Sequence, residues 1–300
     1  MKIVVTGSLG NISKPLTEKL IKAGNQVTVV SSSAERTAAI EALGAKAAIG
    51  SMGDVDFLTK TFTGADAVYA METLPHNAFF DHNLDVMTEI IQIAKNYKEA
   101  IAASGIKKFI HLSSIGAHAP EGVGMLSFHY FAEQLFNELP QDVTIKFMRP
   151  VGFYYNLLAF IPTIKATGMI FSNYGGDEKE PWVSPLDIAD VIAEEFQKPF
   201  SGRSIRYIAS DEVSPDELVH ILGEAIGKPD LKWQQVPDEQ ALSSMVGIGM
   251  NPKSAQGFVE MNASRRGGKL YEDYNKHRPQ LGKVKLTDYA KTFAAVYNQQ

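Results

Sequence analysis

Apolar and polar positions follow two rhythms along the first half of the chain. Short apolar, often β-branched runs at residues 2–5, 26–30, 45–49, 67–70, 108–112 and 144–148 predict strands. Segments with helical spacing at 12–23, 34–43, 55–62, 77–104 and 126–138 lie between them. Gly24, Gly44, Gly64 and Gly105 each follow a helical run and mark its end. Strands separated by helices of this length form right-handed parallel βαβ units. The pattern therefore predicts an α/β fold with a doubly wound, Rossmann-like parallel sheet.

After Arg149-Pro150 the regularity loosens. Residues 175–181 read as a loop, 186–198 and 215–226 as helices, 204–209 and 231–235 as strands, and 286–297 as a closing helix. This predicts a Rossmann domain over residues 1–152. A smaller C-terminal α+β substrate lobe spans residues 153–300, with some segments returning to the sheet. Ligands of open α/β sheets sit at the strand ends, where such a lobe would cover them.

Composition narrows the classes of function. The formal net charge is −5 with no basic block, which gives no nucleic-acid footprint. The absence of cysteine excludes disulfides, thiolate metal sites and a cysteine nucleophile. No run approaches the roughly 18 apolar residues of a membrane span, and the N-terminus lacks a signal-type apolar region. A cytoplasmic protein, monomeric or homodimeric, acting on a small molecule is expected.

The first apolar run opens into Thr6-Gly7-Ser8-Leu9-Gly10-Asn11-Ile12-Ser13. A strand, a glycine turn and a helix start place backbone N–H groups and a helix dipole against a pyrophosphate, so Gly7, Leu9, Gly10, Asn11 and Ile12 are candidate cofactor contacts. Ser13 stands where a three-glycine fingerprint has its last glycine. The second strand runs into Ser31-Ser32-Ser33 with Arg36 beyond, hydroxyls and a guanidinium where an NAD site carries an acid. Ser31, Ser32 and Arg36 thus favour NADP(H), with NAD(H) as the alternative; Ser33 also suits a helix cap. Met71 and Thr73 at the end of the fourth strand are expected to line the cleft.

These residues resemble the NmrA-like, atypical branch of the short-chain dehydrogenase/reductase superfamily. The likeness rests on Thr6-Gly7-x-x-Gly10, Gly50-Ser51-Met52-Gly53-Asp54, Phe109-Ile110-His111-Leu112-Ser113-Ser114, His129-x-x-x-Glu133, Arg149-Pro150-x-x-Phe153-x-x-Asn156 and Ser184-Pro185-Leu186-Asp187-Ile188-Ala189. The resemblance implies either an NADPH-dependent quinone or dye reductase, or a non-catalytic NADP sensor. Ser13, Ser31 and Ser51 depart from that pattern; Ser51 stands where the family often has an acid near the adenine, so the resemblance leaves Asp54 as the candidate adenine-side carboxylate.

A conventional carbonyl reductase of the superfamily needs Tyr four residues before Lys on one helix. None of the eleven tyrosines has this spacing; Tyr130 is followed by Gln134. The same absence disfavours a nucleotide-sugar epimerase or dehydratase. His129 and Glu133, one turn apart, offer an imidazole held by a carboxylate or a surface pair. Ser113, His129 and Tyr130 are the catalytic candidates. No metal site is expected, because no third ligand has suitable spacing. Phe153, Tyr154 and Tyr155 suit a pocket wall, with core packing expected for at least one. His76, His82, His111 and His118 are unclustered and read as structural or exposed. The run Arg265-Arg266-Gly267-Gly268-Lys269 reads as a solvated turn.

Overall fold

The computed structural model describes residues 1–75 and 77–299; His76 lies outside the described residues. Twelve strands occur among them: β1 (Lys2–Val5), β2 (Gln26–Ser31), β3 (Lys46–Ile49), β4 (Ala67–Ala70), β5 (Lys108–Leu112), β6 (Thr144–Pro150), β7 (Gly152–Phe153), β8 (Met169–Ser172), β9 (Glu180–Val183), β10 (Arg203–Ile208), β11 (Asp211–Val213) and β12 (Lys232–Gln235). The α-helices are α1 (Ser13–Lys22), α2 (Thr37–Ala42), α3 (Val55–Phe62), α4 (Val86–Ser104), α5 (Ser127–Asn137), α6 (Ile161–Thr167), α7 (Pro185–Gln197), α8 (Pro215–Ala225), α9 (Asp238–Gly247), α10 (Pro252–Arg266), α11 (Glu272–Lys276) and α12 (Leu286–Gln299).

Seven strands form one parallel sheet in the order β10-β6-β5-β4-β1-β2-β3. The order reverses between β1 and β4, which opens the crevice where such sheets hold ligands. Alternation along the strands builds a core on each face. Ile3, Val5, Val29 and Tyr69 pack on the α1/α7 face, while Val4, Val30, Val68 and Ala70 pack on the opposite face with Leu58, Ala94, Tyr97 and Phe136 from α3, α4 and α5. The strand expected at 204–209 is β10, which extends this sheet beside β6. The helix expected over 77–104 divides: a short 3-10 turn covers Ala78–Phe80, and α4 begins only after Asp85, whose carboxylate accepts from the Thr88 N–H at 3.2 Å.

The C-terminal region carries two small sheets, β11-β9-β7 and β12-β8. Asp187 ties one of its segments down. Its Oδ2 accepts from Ser210 Oγ at 2.6 Å and Val284 N at 3.0 Å, and its Oδ1 from Lys283 N at 3.2 Å. Helix α10 closes over the turn that follows β5. Gly124 sits there at φ +56°, so near the backbone of Gly257 and Met261 that a side chain would overlap both.

Candidate active site

At the head of α1 the backbone folds back on itself. Gly7 has φ +83°, and a Cβ on it would lie 2.5 Å from Ser13 Oγ and 2.8 Å from Met71 Sδ. Ser13 therefore does not loosen the turn: it is fully buried, and its hydroxyl lies against Met71 Sδ at 3.7 Å. The Met71 N–H donates to Thr6 Oγ1 at 3.0 Å, which joins the ends of β1 and β4. Gly10 and Asn11 are exposed, Leu9 is half-buried, and Ile12 is buried, so Ile12 offers the crevice only its backbone. Among the described residues nothing accepts from the N–H groups of Asn11, Ile12 or Ser13. With the dipole of a ten-residue helix behind them, these donors fit a phosphate anion.

The end of β2 separates its serines. Ser31 is buried and exchanges hydrogen bonds with its neighbours, accepting from Ser8 Oγ at 2.9 Å and donating to the Ser33 carbonyl at 3.3 Å. Ser32 and Arg36 are exposed. Ser33 stands at the head of the Ala34–Arg36 turn without a side-chain cap bond. Asp54 caps α3, its Oδ1 accepting from Phe57 N at 3.0 Å, so one carboxylate oxygen already has a structural partner. Thr73 Oγ1 lies 3.7 Å from Met52 Sδ.

Beneath the other half of the crevice lies a buried polar network. Ser113 Oγ donates to Glu133 Oε1 at 2.5 Å. Arg149 on β6 meets the same carboxylate with two donors, and all five of its N–H groups find acceptors: Glu133 twice, Asp273, Tyr207 Oη and the Ala117 carbonyl. The expected His129–Glu133 pairing does not form, because Arg149 and Ser113 claim the carboxylate. His129 instead packs its ring 3.8 Å from that of Phe128, and its Nδ1 is buried with no partner. Burial, and after it the charges of His111 and Arg149, hold the imidazole pKa well below its usual value, so the ring is neutral near pH 7. Tyr130, half-buried, sets its ring edge against Phe131.

One pair at this site was not singled out from the sequence. Glu72, between Met71 and Thr73, places both carboxylate oxygens 3.0 Å from His111 Nε2, and the two side chains are at most 2% exposed. Their signal was present. His111 interrupts an apolar strand, and Glu72 continues the period of a wholly buried one.

Of the aromatic run, Tyr154 is core, stacked 5.2 Å from Tyr289, while Phe153 and Tyr155 are half-buried. Burial pushes the Tyr155 phenol up to about 12. His82 contacts the Gly249 carbonyl at 3.2 Å. Arg265 is not a solvated turn residue, since its side chain is only 11% exposed and pairs with Glu180 at 2.8 Å. Among the described residues no group of three or more potential metal ligands occurs, and no helix is long and apolar enough to cross a membrane.

The chain is 24% identical over 270 residues to a (4-alkanoyl-5-oxo-2,5-dihydrofuran-3-yl)methyl phosphate reductase of Streptomyces griseus, covering 89% of this chain and 88% of that protein. Its fold matches the NADPH complex of an Escherichia coli NADPH-dependent quinone oxidoreductase with a TM-score of 0.80, at 18% identity and 97% and 99% coverage of the two chains. It also matches the NADP(H) complex of a Citrobacter triphenylmethane reductase with a TM-score of 0.74, at 19% identity and 96% and 99% coverage. The sequence model of the NmrA-like family matches residues 1–280, and the chain belongs to that family.

Proposed function

We propose that the protein is an NADP(H)-dependent oxidoreductase that reduces a quinone or a similar conjugated small molecule. The observation that carries this reading is the glycine turn. Three unpaired N–H groups head a ten-residue helix at the point where strand order reverses, over a floor so tight at Gly7 that only backbone fits. The exposed Ser32 and Arg36 fit a 2′-phosphate and favour NADP(H) over NAD(H). The fold likeness to the Escherichia coli and Citrobacter proteins, whose structures hold NADPH and NADP(H), supports the same cofactor.

When bound, the cofactor supplies the hydride. The chain positions it: Met71 and Thr73 flank the crevice, and Ser113, His129 and Tyr130 stand on the acceptor's side. Hydride addition to a quinone builds charge on an oxygen that solvent can protonate, so a Tyr/Lys pair is dispensable. His129 contributes a neutral N–H or lone pair, since its imidazolium is disfavoured. NADPH oxidation with a panel of quinones tests the proposal. Turnover above background supports it, and its absence with NADPH binding intact overturns it.

A second reading, a non-catalytic NADP(H) sensor, is favoured by one observation: the Ser113 hydroxyl and the Glu133 carboxylate are already committed to Arg149's network. Tight NADPH binding without turnover, with a protein partner retained only in one redox state, would select it.

A further inference from the structure

One residue of the glycine turn adopts a backbone conformation that its own side chain opposes. Ser8 has φ +54°, and among the described residues no other non-glycine has a positive φ. The Gly10 N–H donates to the Gly7 carbonyl at 3.1 Å, which closes a four-residue turn with Ser8 at its first central position. Leu9, at the second, does not share the positive φ. That is the pattern of a II′ turn, whose first central position favours glycine. A Cβ at positive φ crowds the neighbouring carbonyl, so Ser8 stays there only while its surroundings hold it.

What holds it is the end of β2. Strands β1 and β2 pair in parallel with Val5 opposite Val29, which brings the turn after β1 against Val30 and Ser31. The Ser8 N–H donates to the Val30 carbonyl at 3.1 Å, and the Ser8 hydroxyl donates to Ser31 Oγ at 2.9 Å, with both serines buried. Ser31 Oγ also accepts from the Ser33 N–H and donates to the Ser33 carbonyl, each at 3.3 Å. A hydroxyl has one proton and two lone pairs, so Ser31 keeps nothing for a ligand.

We propose that Ser31 is a positioning residue for cofactor binding, whose bond to Ser8 holds the glycine turn in the shape that presents the Asn11, Ile12 and Ser13 N–H groups to a pyrophosphate. This rests on the reading of that turn as an NADP(H) site. Without the bond Ser8 relaxes toward negative φ, the Gly7-to-Gly10 turn opens, and the head of α1 loses its aim at the anion. Glycine at position 8 adopts the same φ without steric cost, which removes the need for the bond. A serine that touched the cofactor itself would have no such remedy.

Fluorescence titrations of the full-length protein with NADPH and with NADH test this, read beside circular dichroism and urea midpoints. Ser31→Ala is expected to bind NADPH about tenfold more weakly, and NADH by a similar factor, since both carry the pyrophosphate. Ser8→Gly added to Ser31→Ala is expected to return NADPH affinity to within about threefold of wild type. A serine serving only the stability of the fold would lower the urea midpoint and leave both affinities alone. Should Ser31→Ala fail to fold, Ser8→Ala and Ser8→Gly decide: alanine keeps the Cβ and loses the bond, so it is expected to bind NADPH about tenfold more weakly than glycine. The proposal is overturned by undiminished NADPH affinity in folded Ser31→Ala, by a loss confined to NADPH, by failure of Ser8→Gly to restore binding, or by equal affinities of the two Ser8 variants. Wild-type protein that binds neither cofactor overturns the reading of the turn itself, and this proposal with it.

Discussion

Arg149 grips Glu133 with two parallel bonds, Nε to Oε1 at 2.9 Å and Nη2 to Oε2 at 2.7 Å, with both side chains at most 5% exposed. The pair sits where four segments meet: β6 supplies the arginine, α5 the glutamate, the end of β5 supplies Ser113, and α11 supplies Asp273. It therefore welds the C-terminal region to the strand ends that border the crevice. Replacing Arg149 by Met leaves two carboxylates without their buried counter-charge. The expected loss of stability is about 3–5 kcal/mol, seen as a lower urea midpoint. A loss below about 1 kcal/mol would show that the network is solvated rather than buried.

Gly7→Ala forces a methyl group toward Ser13 and Met71 at a φ that side chains rarely adopt. The turn must open to relieve the overlap, which moves the N–H groups that face the crevice. NADPH affinity measured by fluorescence is expected to fall about tenfold or more, with the sheet retained by circular dichroism. Wild-type affinity in the variant would remove the glycine turn from the binding site.

Arg36 is exposed at the end of β2, so its removal costs the fold little. If its guanidinium meets the 2′-phosphate, Arg36→Ala is expected to weaken NADPH by about tenfold and leave NADH unchanged, which reverses or erases the preference. Parallel titrations with the two cofactors measure this. Equal losses for both would place Arg36 away from the 2′-position.

His129 gives the stability a pH dependence of defined sign. Its folded pKa lies below its unfolded value because burial, then the charges of His111 and Arg149, disfavour the imidazolium. The unfolded chain takes up that proton first as the pH falls. The contribution is complete above about pH 6.5 and is lost progressively below it. His118, also lowered mainly by burial, acts in the same direction. Urea midpoints between about pH 7 and about pH 5 should therefore decline, and His129→Phe should reduce the slope without abolishing it. An unchanged slope in the variant would mean that His129 titrates alike in the folded and unfolded chains.

Much of this molecule can be read from residue order because its causes are local. Strand alternation, helical spacing and the Gly7-x-x-Gly10 turn fix six parallel units and an anion-binding helix start, since backbone sterics and the pitch of a helix act over a few residues. Even Pro15 agrees, placed in the first turn of α1, where its missing N–H costs nothing. The assignments that changed were those whose outcome depends on a distant competitor. Glu133 is one helical turn from His129 but bonds Arg149, because a guanidinium arriving from β6 offers two charged donors where the imidazole offers one. Ser31 looked available for a phosphate and is taken by Ser8. Glu72 and His111, thirty-nine residues apart, become partners only when β4 and β5 lie side by side. Arg265 reads as a solvated charge in residue order and is buried by packing, because Glu180 of β9 and the rings of Tyr174 and Trp182 meet its guanidinium. The sequence by itself determined the fold class and the glycine turn through short-range geometry. The tertiary structure decided which polar groups remain available at the crevice, because each buried donor and acceptor must find its partner from the whole chain.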